Sequence, residues 1–230
     1  GRYAMEFNTS GANNAVLGRS ALNANTTGSD NVAIGRDSML VSTTGIRNTF
    51  VGTYSAKDMT LADYNAGFGY DAMRRVTTGS HNTSMGAYAL GKLTTGVNNT
   101  AIGSGAGKWD SSSVETNAVT TGSNNTFVGA FSMPGTATQL NYATALGADS
   151  RVTTDNTIVL GRVTDSVVIG GTGTATTGTL LSKKLQVTGD VGVTGRLDVA
   201  TLYVNGSPIT AGGAATKSGI DTALTFGVGN

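Results

Sequence analysis

Cysteine is missing from all 230 residues, which excludes disulfides and thiolate metal sites. Charge is almost as scarce: 15 Lys and Arg stand against 14 Asp and Glu, for a net +1 and only 13% charged residues. Such a balance offers nucleic acid nothing to hold, and the two basic pairs, Arg74-Arg75 and Lys183-Lys184, read as solvated surface. Aromatic residues make up 6% and hydrophobic ones 38%, a lean supply for a self-sufficient core. No run approaches the roughly 18 apolar residues that span a bilayer, so no membrane insertion is expected, and no signal peptide is legible. The chain reads as a piece of a longer protein, with residues 1–7 a cloning remnant outside the pattern described next.

Glycine is abundant, at 34 residues, and it keeps time. The phrase apolar-Gly recurs as Leu17-Gly18, Ile34-Gly35, Val51-Gly52, Phe68-Gly69, Met85-Gly86 and Ile102-Gly103, each 17 residues after the last. Four positions before each glycine stands an asparagine: Asn14, Asn31, Asn48, Asn65, Asn82 and Asn99. Three positions after it stands Ala or Ser, usually followed by Leu or Met, as in Ala21-Leu22 and Ala72-Met73. Thr-Thr-Gly turns separate most repeats. Low charge and a strict period argue against disorder and for a solenoid. Each repeat reads as strand, turn, strand, turn, with the asparagines forming a stacked side-chain ladder and Leu17 to Ile102 forming an apolar spine. One coil cannot bury an apolar face alone, so neighbours are needed.

The period breaks after Gly103: the next equivalent glycine, Gly129, comes 26 residues later. The nine extra residues fall in Lys108–Asn117, which carries Trp109, the sole tryptophan, and Glu115, one of two glutamates. Insertions in a solenoid emerge as loops on one face and carry binding. Trp109, Asp110 and Glu115 are therefore candidate ligand residues, joined by the aromatic residues Tyr88 and Phe131 near the repeat glycines. Clustering of Trp109 with Tyr54, Tyr70, Tyr88 and Phe131 separates a binding segment from a pure spacer. Intervals then shorten, through Gly147, Gly161 and Gly170, as in a capped stack.

Beyond a connector at residues 172–182, apolar residues alternate with a six-residue repeat (Leu185, Val191, Leu197; Val187, Val193, Val199). Alternation marks half-buried strands, and their shortness suits a narrow β-prism over 183–210, with Asn205-Gly206-Ser207-Pro208 as a turn. The role of 211–230 is not readable.

Catalysis finds little to work with. The single histidine, His81, shares its register position with Asn13, Asp30, Arg47, Tyr64 and Asn98, a column that accepts any polar residue and is read as surface. Glycan cleavage needs two carboxylates about 5 to 9.5 Å apart, and Asp110 with Glu115 is the pair to test. No calcium repeat, phosphate loop or metal-spaced histidine set occurs, so no cofactor and no metal is expected. An ice-binding double row of threonine starts at Thr26-Thr27 and is broken by Thr60-Leu61-Ala62.

The Asn-Thr-Ala-Ile-Gly phrase at Asn99–Gly103, with Ala21-Leu22 and Thr26-Thr27-Gly28, resembles the head repeats of trimeric autotransporter adhesins. The 17-residue form followed by Leu202-Tyr203-Val204-Asn205-Gly206 is similar to trimeric tail-fibre proteins of bacteriophages and the phage-like surface fibres of predatory bacteria. The resemblance covers residues 8 to 206. It implies an all-β homotrimer: a left-handed parallel β-roll over 8–171 followed by an intertwined triple-stranded β-prism. It further implies an extracellular place, on a bacterial surface or virus particle, and attachment to a cell-surface polysaccharide or envelope component. Three lean rolls packing their apolar spines around one axis supply the physical reason for a trimer.

Overall fold

A computed structural model describes residues 1–108, 117–162 and 164–165, with the backbone of two further strands, Leu202–Val204 and Ser207–Ile209. Each repeat phrase forms one three-residue strand. In chain order the strands are β1 (Ala15–Leu17), β2 (Val32–Ile34), β3 (Thr49–Val51), β4 (Ala66–Phe68), β5 (Thr83–Met85), β6 (Thr100–Ile102), β7 (Thr126–Val128), β8 (Met133–Pro134), β9 (Thr144–Leu146), β10 (Arg151–Val152) and β11 (Ile158–Leu160). All but β8 and β10 stack into one parallel sheet of nine strands, in the order β1 to β7, then β9 and β11. The register is strict: Leu17 lies on Ile34, Ile34 on Val51, and Phe68 on Met85. The longer interval does not disturb it, because Thr100 still pairs with Thr126 and Ile102 with Val128. The described part of residues 8–171 is thus an all-β solenoid with one sheet strand per coil.

With three residues per strand, only the middle side chain points inward. That inner column holds Ala33, Phe50, Gly67, Ser84, Ala101, Phe127 and Ala145, all but the glycine listing among fully buried side chains. Its two rings, Phe50 and Phe127, are each flanked by small residues, because coils about 4.8 Å apart cannot all hold a ring. Phe50 lies where a Cβ on Gly67 would be, so the missing side chain of one coil houses the ring of its neighbour.

The expected apolar column stacks in register and lies on the outside of the coil. Leu17, Met85 and Ile102 are 64%, 47% and 39% exposed, and Phe68 and Leu160 are exposed too. The column flanks the inward residue and must face out. Burial falls instead to the inner column and to the stripe after the glycine, where Ala21, Leu22, Met39, Ala72, Met73, Ala89 and Leu90 are fully buried.

That stripe was expected to form another strand in every coil, and here the structure corrects the expectation. Leu22, Met39, Ala56, Met73 and Leu90 all have positive φ, from 44° to 51°, incompatible with extended structure. Coils are still tied there, since the amide of Leu22 donates to Ser38 O and that of Met73 to Ala89 O. Among the described residues the stripe becomes a strand only where β8 pairs with β10.

The asparagine ladder forms as expected, and it is buried. Asn31, Asn48, Asn82 and Asn99 are fully buried, Asn65 and Asn125 nearly so. Each side-chain oxygen accepts twice from the next coil: Asn82 Oδ1 takes the backbone amide of Asn99 at 2.8 Å and its Nδ2 at 3.1 Å. Each Nδ2 also donates to a carbonyl of the turn opposite, as Asn82 does to Gly96 O at 2.9 Å, with Ala62 and Leu140 standing in for the turn glycine opposite Asn48 and Asn125. The ladder therefore ties each strand to its neighbour and to the turn opposite. It ends at Ala143, whose amide donates to Asn125 Oδ1.

Glycine at the strand exit is required twice over. Gly86 has φ of +136°, and a Cβ there would lie 2.6 Å from the carbonyl carbon and oxygen of Gly103. Neither the turn nor the coil spacing admits a side chain.

Residues 1–7, expected outside the pattern, are in register. Gly1 stacks against Gly18, Tyr3 and Met5 repeat the positive φ of Ser20 and Leu22, and the amides of Met5 and Phe7 donate to Ala21 O and Asn23 O. The signal was the spacing Gly1, Ala4, Met5 against Gly18, Ala21, Leu22.

The chain divides into two units, residues 1–178 and 179–230. In the second, β12 (Leu202–Val204) pairs antiparallel with β13 (Ser207–Ile209), Val204 against Ser207. Ser207 and Pro208 thus belong to a strand, not to the expected turn. Residues 166–200, with the connector and the six-residue repeats of the expected prism, lie outside the described residues, as does the segment 211–230.

Candidate functional site

Two features stand out on the surface of the solenoid: the outward apolar column on its sheet and a line of tyrosines on the neighbouring edge. The edge is set by the residues just after each repeat glycine. Apart from Tyr3 and Phe131, which share the column of Tyr54, the side chains elsewhere along it include the polar or small Arg19, Ser20, Arg36, Asp37, Ala87, Ser104 and Gly105. In the third to fifth repeats it carries Tyr54, Tyr70 and Tyr88.

These three rings touch. Tyr54 and Tyr70 meet edge to face with centroids 5.8 Å apart, and Tyr70 meets Tyr88 the same way at 5.2 Å. Tyr54 and Tyr88 occupy one register column two coils apart, and Tyr70, one position earlier in the intervening coil, fills the gap. Tyr54 and Tyr88 have positive φ, 61° and 63°, so the backbone turns outward beneath them and lifts the rings from the coil. Tyr70 is the most exposed of the three, at 44%.

Cations close both ends of the line. The Arg36 guanidinium lies 4.5 Å from the Tyr54 centroid and donates to its hydroxyl, while Lys57 and Arg74 approach the same ring at 5.2 and 5.8 Å. At the other end the Lys108 ammonium sits 4.3 Å from the Tyr88 centroid. Cations over tyrosine faces are held by the ring quadrupole. Three aspartates sit among them: Asp37 is 4.0 Å from Arg36, Asp58 is 3.9 Å and Asp71 3.4 Å from Arg74. Asp71, which is buried, is the largest of the influences that raise the Tyr70 phenol above its ordinary value, with burial second. The phenol therefore stays protonated and remains a hydrogen-bond donor.

Of the five sequence candidates, Tyr88 belongs to this line. Phe131 shares its column but lies two coils further on, with Gly105 between them. Trp109, Asp110 and Glu115 lie outside the described residues. Sequence reasoning named Tyr54 and Tyr70 as part of the cluster and missed Arg36, Lys57, Arg74 and Lys108. Arg74 had been read as simple solvated surface, and it is instead paired with aspartates and with a ring. Folding the chain at 17 residues brings Arg36 beside Tyr54, a signal available once the coil is drawn.

His81 lies in the exposed column with positive φ, stacked on Tyr64 at 4.8 Å with the planes 6° apart, and Arg47 covers the other ring of this short stack. The inner row of threonines is turned to structural use: Thr26, Thr60, Thr77 and Thr94 donate their hydroxyls to carbonyls of the next coil. Only the outer row, interrupted by exposed Leu61, presents a threonine face.

Among the described residues, no helix is long and apolar enough to cross a membrane. No protein-family model, curated protein or solved structure matches the chain.

Proposed function

We propose that this chain is a non-enzymatic segment of a homotrimeric extracellular fibre or adhesin, borne on a bacterial surface or virus particle and serving attachment to glycan or envelope components. The observation that carries the reading is the apolar column that the solenoid leaves outside itself. Leu17, Phe68, Met85, Ile102 and Leu160 are exposed, and the same column continues through Ile34, Val51, Val128 and Leu146. Across nine strands it extends for roughly 38 Å at about 4.8 Å per coil. A stripe this long and continuous marks a contact surface. Burying each half-exposed side chain in it contributes roughly 1 kcal/mol.

Three copies satisfy the stripe around a common axis, and an intertwined triple-stranded prism for residues 183–210 belongs to the same proposal. A spacer that binds nothing is the second reading, favoured by the uniform stacking of the coils. The test is incubation of labelled fragment with bacterial cells. Saturable attachment supports the adhesive reading, and its absence, with the trimer intact, supports the spacer.

A further inference from the structure

We infer that copies of the chain meet along the two flanks of the outward sheet face. The flank where one copy's chain enters the strands packs on the flank where the next copy's chain leaves them, coil against equivalent coil. The inference rests on the trimer reading and adds the register and the contacting residues.

Symmetry supplies the first step. All nine strands run the same way, so the face has an entry flank, two residues before each strand, and an exit flank, two or three residues after it. A rotation axis parallel to the stack, with the apolar column turned toward it, keeps every coil at its height. It also brings the entry flank of one copy beside the exit flank of the next.

Both flanks present side chains for such a contact. The entry residues from Asn13 to Asn156 have φ of 55° to 61°, and Asp30, Arg47, Tyr64, His81, Asn98 and Tyr142 stand exposed there. The exit flank carries rings along much of its length, at Tyr3, Tyr54, Tyr70, Tyr88 and Phe131, as a contact between whole stacks should.

Matching the flanks at equal height gives complementary partners. Tyr64, 43% exposed and stacked on His81, comes opposite Tyr70, 44% exposed, and His81 comes opposite Tyr88. Aromatic pairs of this kind gain beyond their buried area. Asp30 comes opposite Arg36, the more exposed member of the Arg36–Asp37 pair. Arg47 leans onto Tyr64 and donates to its hydroxyl, which carries the guanidinium toward Tyr70 and away from the cations Arg36, Lys57 and Arg74 around Tyr54. Asn98 meets Ser104, and the Tyr142 phenol meets Asp149.

A two-fold axis across the stack is the other way to bury the apolar column between copies. It lays entry flank on entry flank and reverses the heights, so that with β5 at the centre Tyr64 faces Asn98 and Tyr70 faces Ser104. Those rings then lie against amide and hydroxyl groups, and Asp30 exchanges Arg36 for Tyr142. The parallel arrangement keeps ring with ring and acid with base.

The chain has no cysteine, so paired cysteine substitutions report the contact directly. The matched pairs are Tyr64→Cys/Tyr70→Cys and Asn98→Cys/Ser104→Cys, each on one coil. Tyr64→Cys/Ser104→Cys joins the two flanks two coils apart, and Tyr64→Cys/Asn98→Cys joins two entry positions. A disulfide needs Cα atoms within about 7 Å, whereas two coils differ in height by about 10 Å. After copper–phenanthroline oxidation, denaturing electrophoresis without reductant should show three-chain products from both matched pairs and single chains from the other two. Circular dichroism and solution mass under reductant provide the folding and assembly control. The Asn98/Ser104 pair removes no ring, so it decides the outcome if the tyrosine pair fails to assemble. Two-chain product from Tyr64→Cys/Asn98→Cys, or equal product from matched and unmatched pairs, overturns the inference. The solution mass of the wild-type chain separates this from the broader reading. Three chains in solution with no product from either matched pair leaves the trimer standing and removes the contact. Two chains in solution, with matched pairs linked, keeps the contact and removes the trimer, whereas a single chain in solution removes both.

Discussion

Asn82 and Met85 stand three residues apart at the two ends of the same short stretch, and they invert the usual rule of burial. The polar residue is fully buried and the apolar one is 47% exposed. The difference lies in what each column joins. Asparagine can be buried because the neighbouring coil offers the same residue in the same place, so every donor and acceptor finds its partner within the chain. Among the described residues the outward apolar column has no partner. The first column specifies how coils stack, and the second leaves the exposed surface that the proposed trimer would cover.

Breaking the stacking side should have the largest effects. Gly86→Ala must move a backbone carbonyl 2.6 Å away while holding φ near +136°, and loss of several kcal/mol, on the order of 4, is expected. Circular dichroism melting, compared with Ala87→Gly on the next residue, measures it; equal melting temperatures would refute the stacking account. Removing one rung comes next. Asn82→Ala strands the buried amide of Asn99 and the carbonyl of Gly96, at a cost of about 3 kcal/mol in denaturant unfolding. Asn82→Asp keeps the acceptor for Asn99 but sets a buried carboxylate oxygen against Asn65 Oδ1, Ser80 O and Gly96 O, so at neutral pH it should destabilise at least as much as alanine.

These stacking features are the part most legible in the sequence. The period, the ladder and the exit glycines each recur as one residue type, because a column of identical neighbours restricts chemistry tightly. The inward column was not legible: beside the uniformly apolar Leu17 to Ile102, the run Ala33, Phe50, Gly67, Ser84, Ala101 looks arbitrary. It looks so because its side chains must differ in size to share one channel. The positive φ of Leu22, Met39, Met73 and Leu90 was hidden too, since leucine and methionine carry no sign of a left-handed backbone. The tyrosines could be found by position alone. Arg36 could be found once the coil is drawn, whereas Arg74 and Lys108 reach the rings of a preceding coil from a position five residues after the repeat glycine.

Breaking the other side should leave each coil standing. Met85→Glu combined with Ile102→Glu alters two exposed positions, so the far-ultraviolet spectrum should stay as in wild type while copies separate. A lost spectrum would place the column inside the coil after all. The smallest effect belongs at the end of the stack, where the ladder has already run out. Asp165 accepts from the amide of Arg162 at 2.8 Å and from its guanidinium at 3.0 Å. The backbone hydrogen bond foremost, then the side-chain one, hold its carboxyl below the ordinary carboxylate value. A lowered folded value means that the clasp contributes fully above the unfolded carboxylate value, about 3.9, and is lost as pH falls through the lower folded one. Asp165→Asn should therefore lower the protection of the Gly161 amide, relative to its intrinsic exchange rate, at neutral pH and abolish the further loss of protection in acid, with no change in the coils before it; unchanged protection would show that the clasp does not secure the end.

The most direct test of the central claim is the solution mass of the full chain by light scattering, alongside Met85→Glu/Ile102→Glu. Three times the 23.1 kDa chain mass for wild type, falling to a single chain in the variant with its coils intact, is the result expected. A wild-type chain that stays single at every concentration would contradict it, because the apolar column would then face water and join nothing.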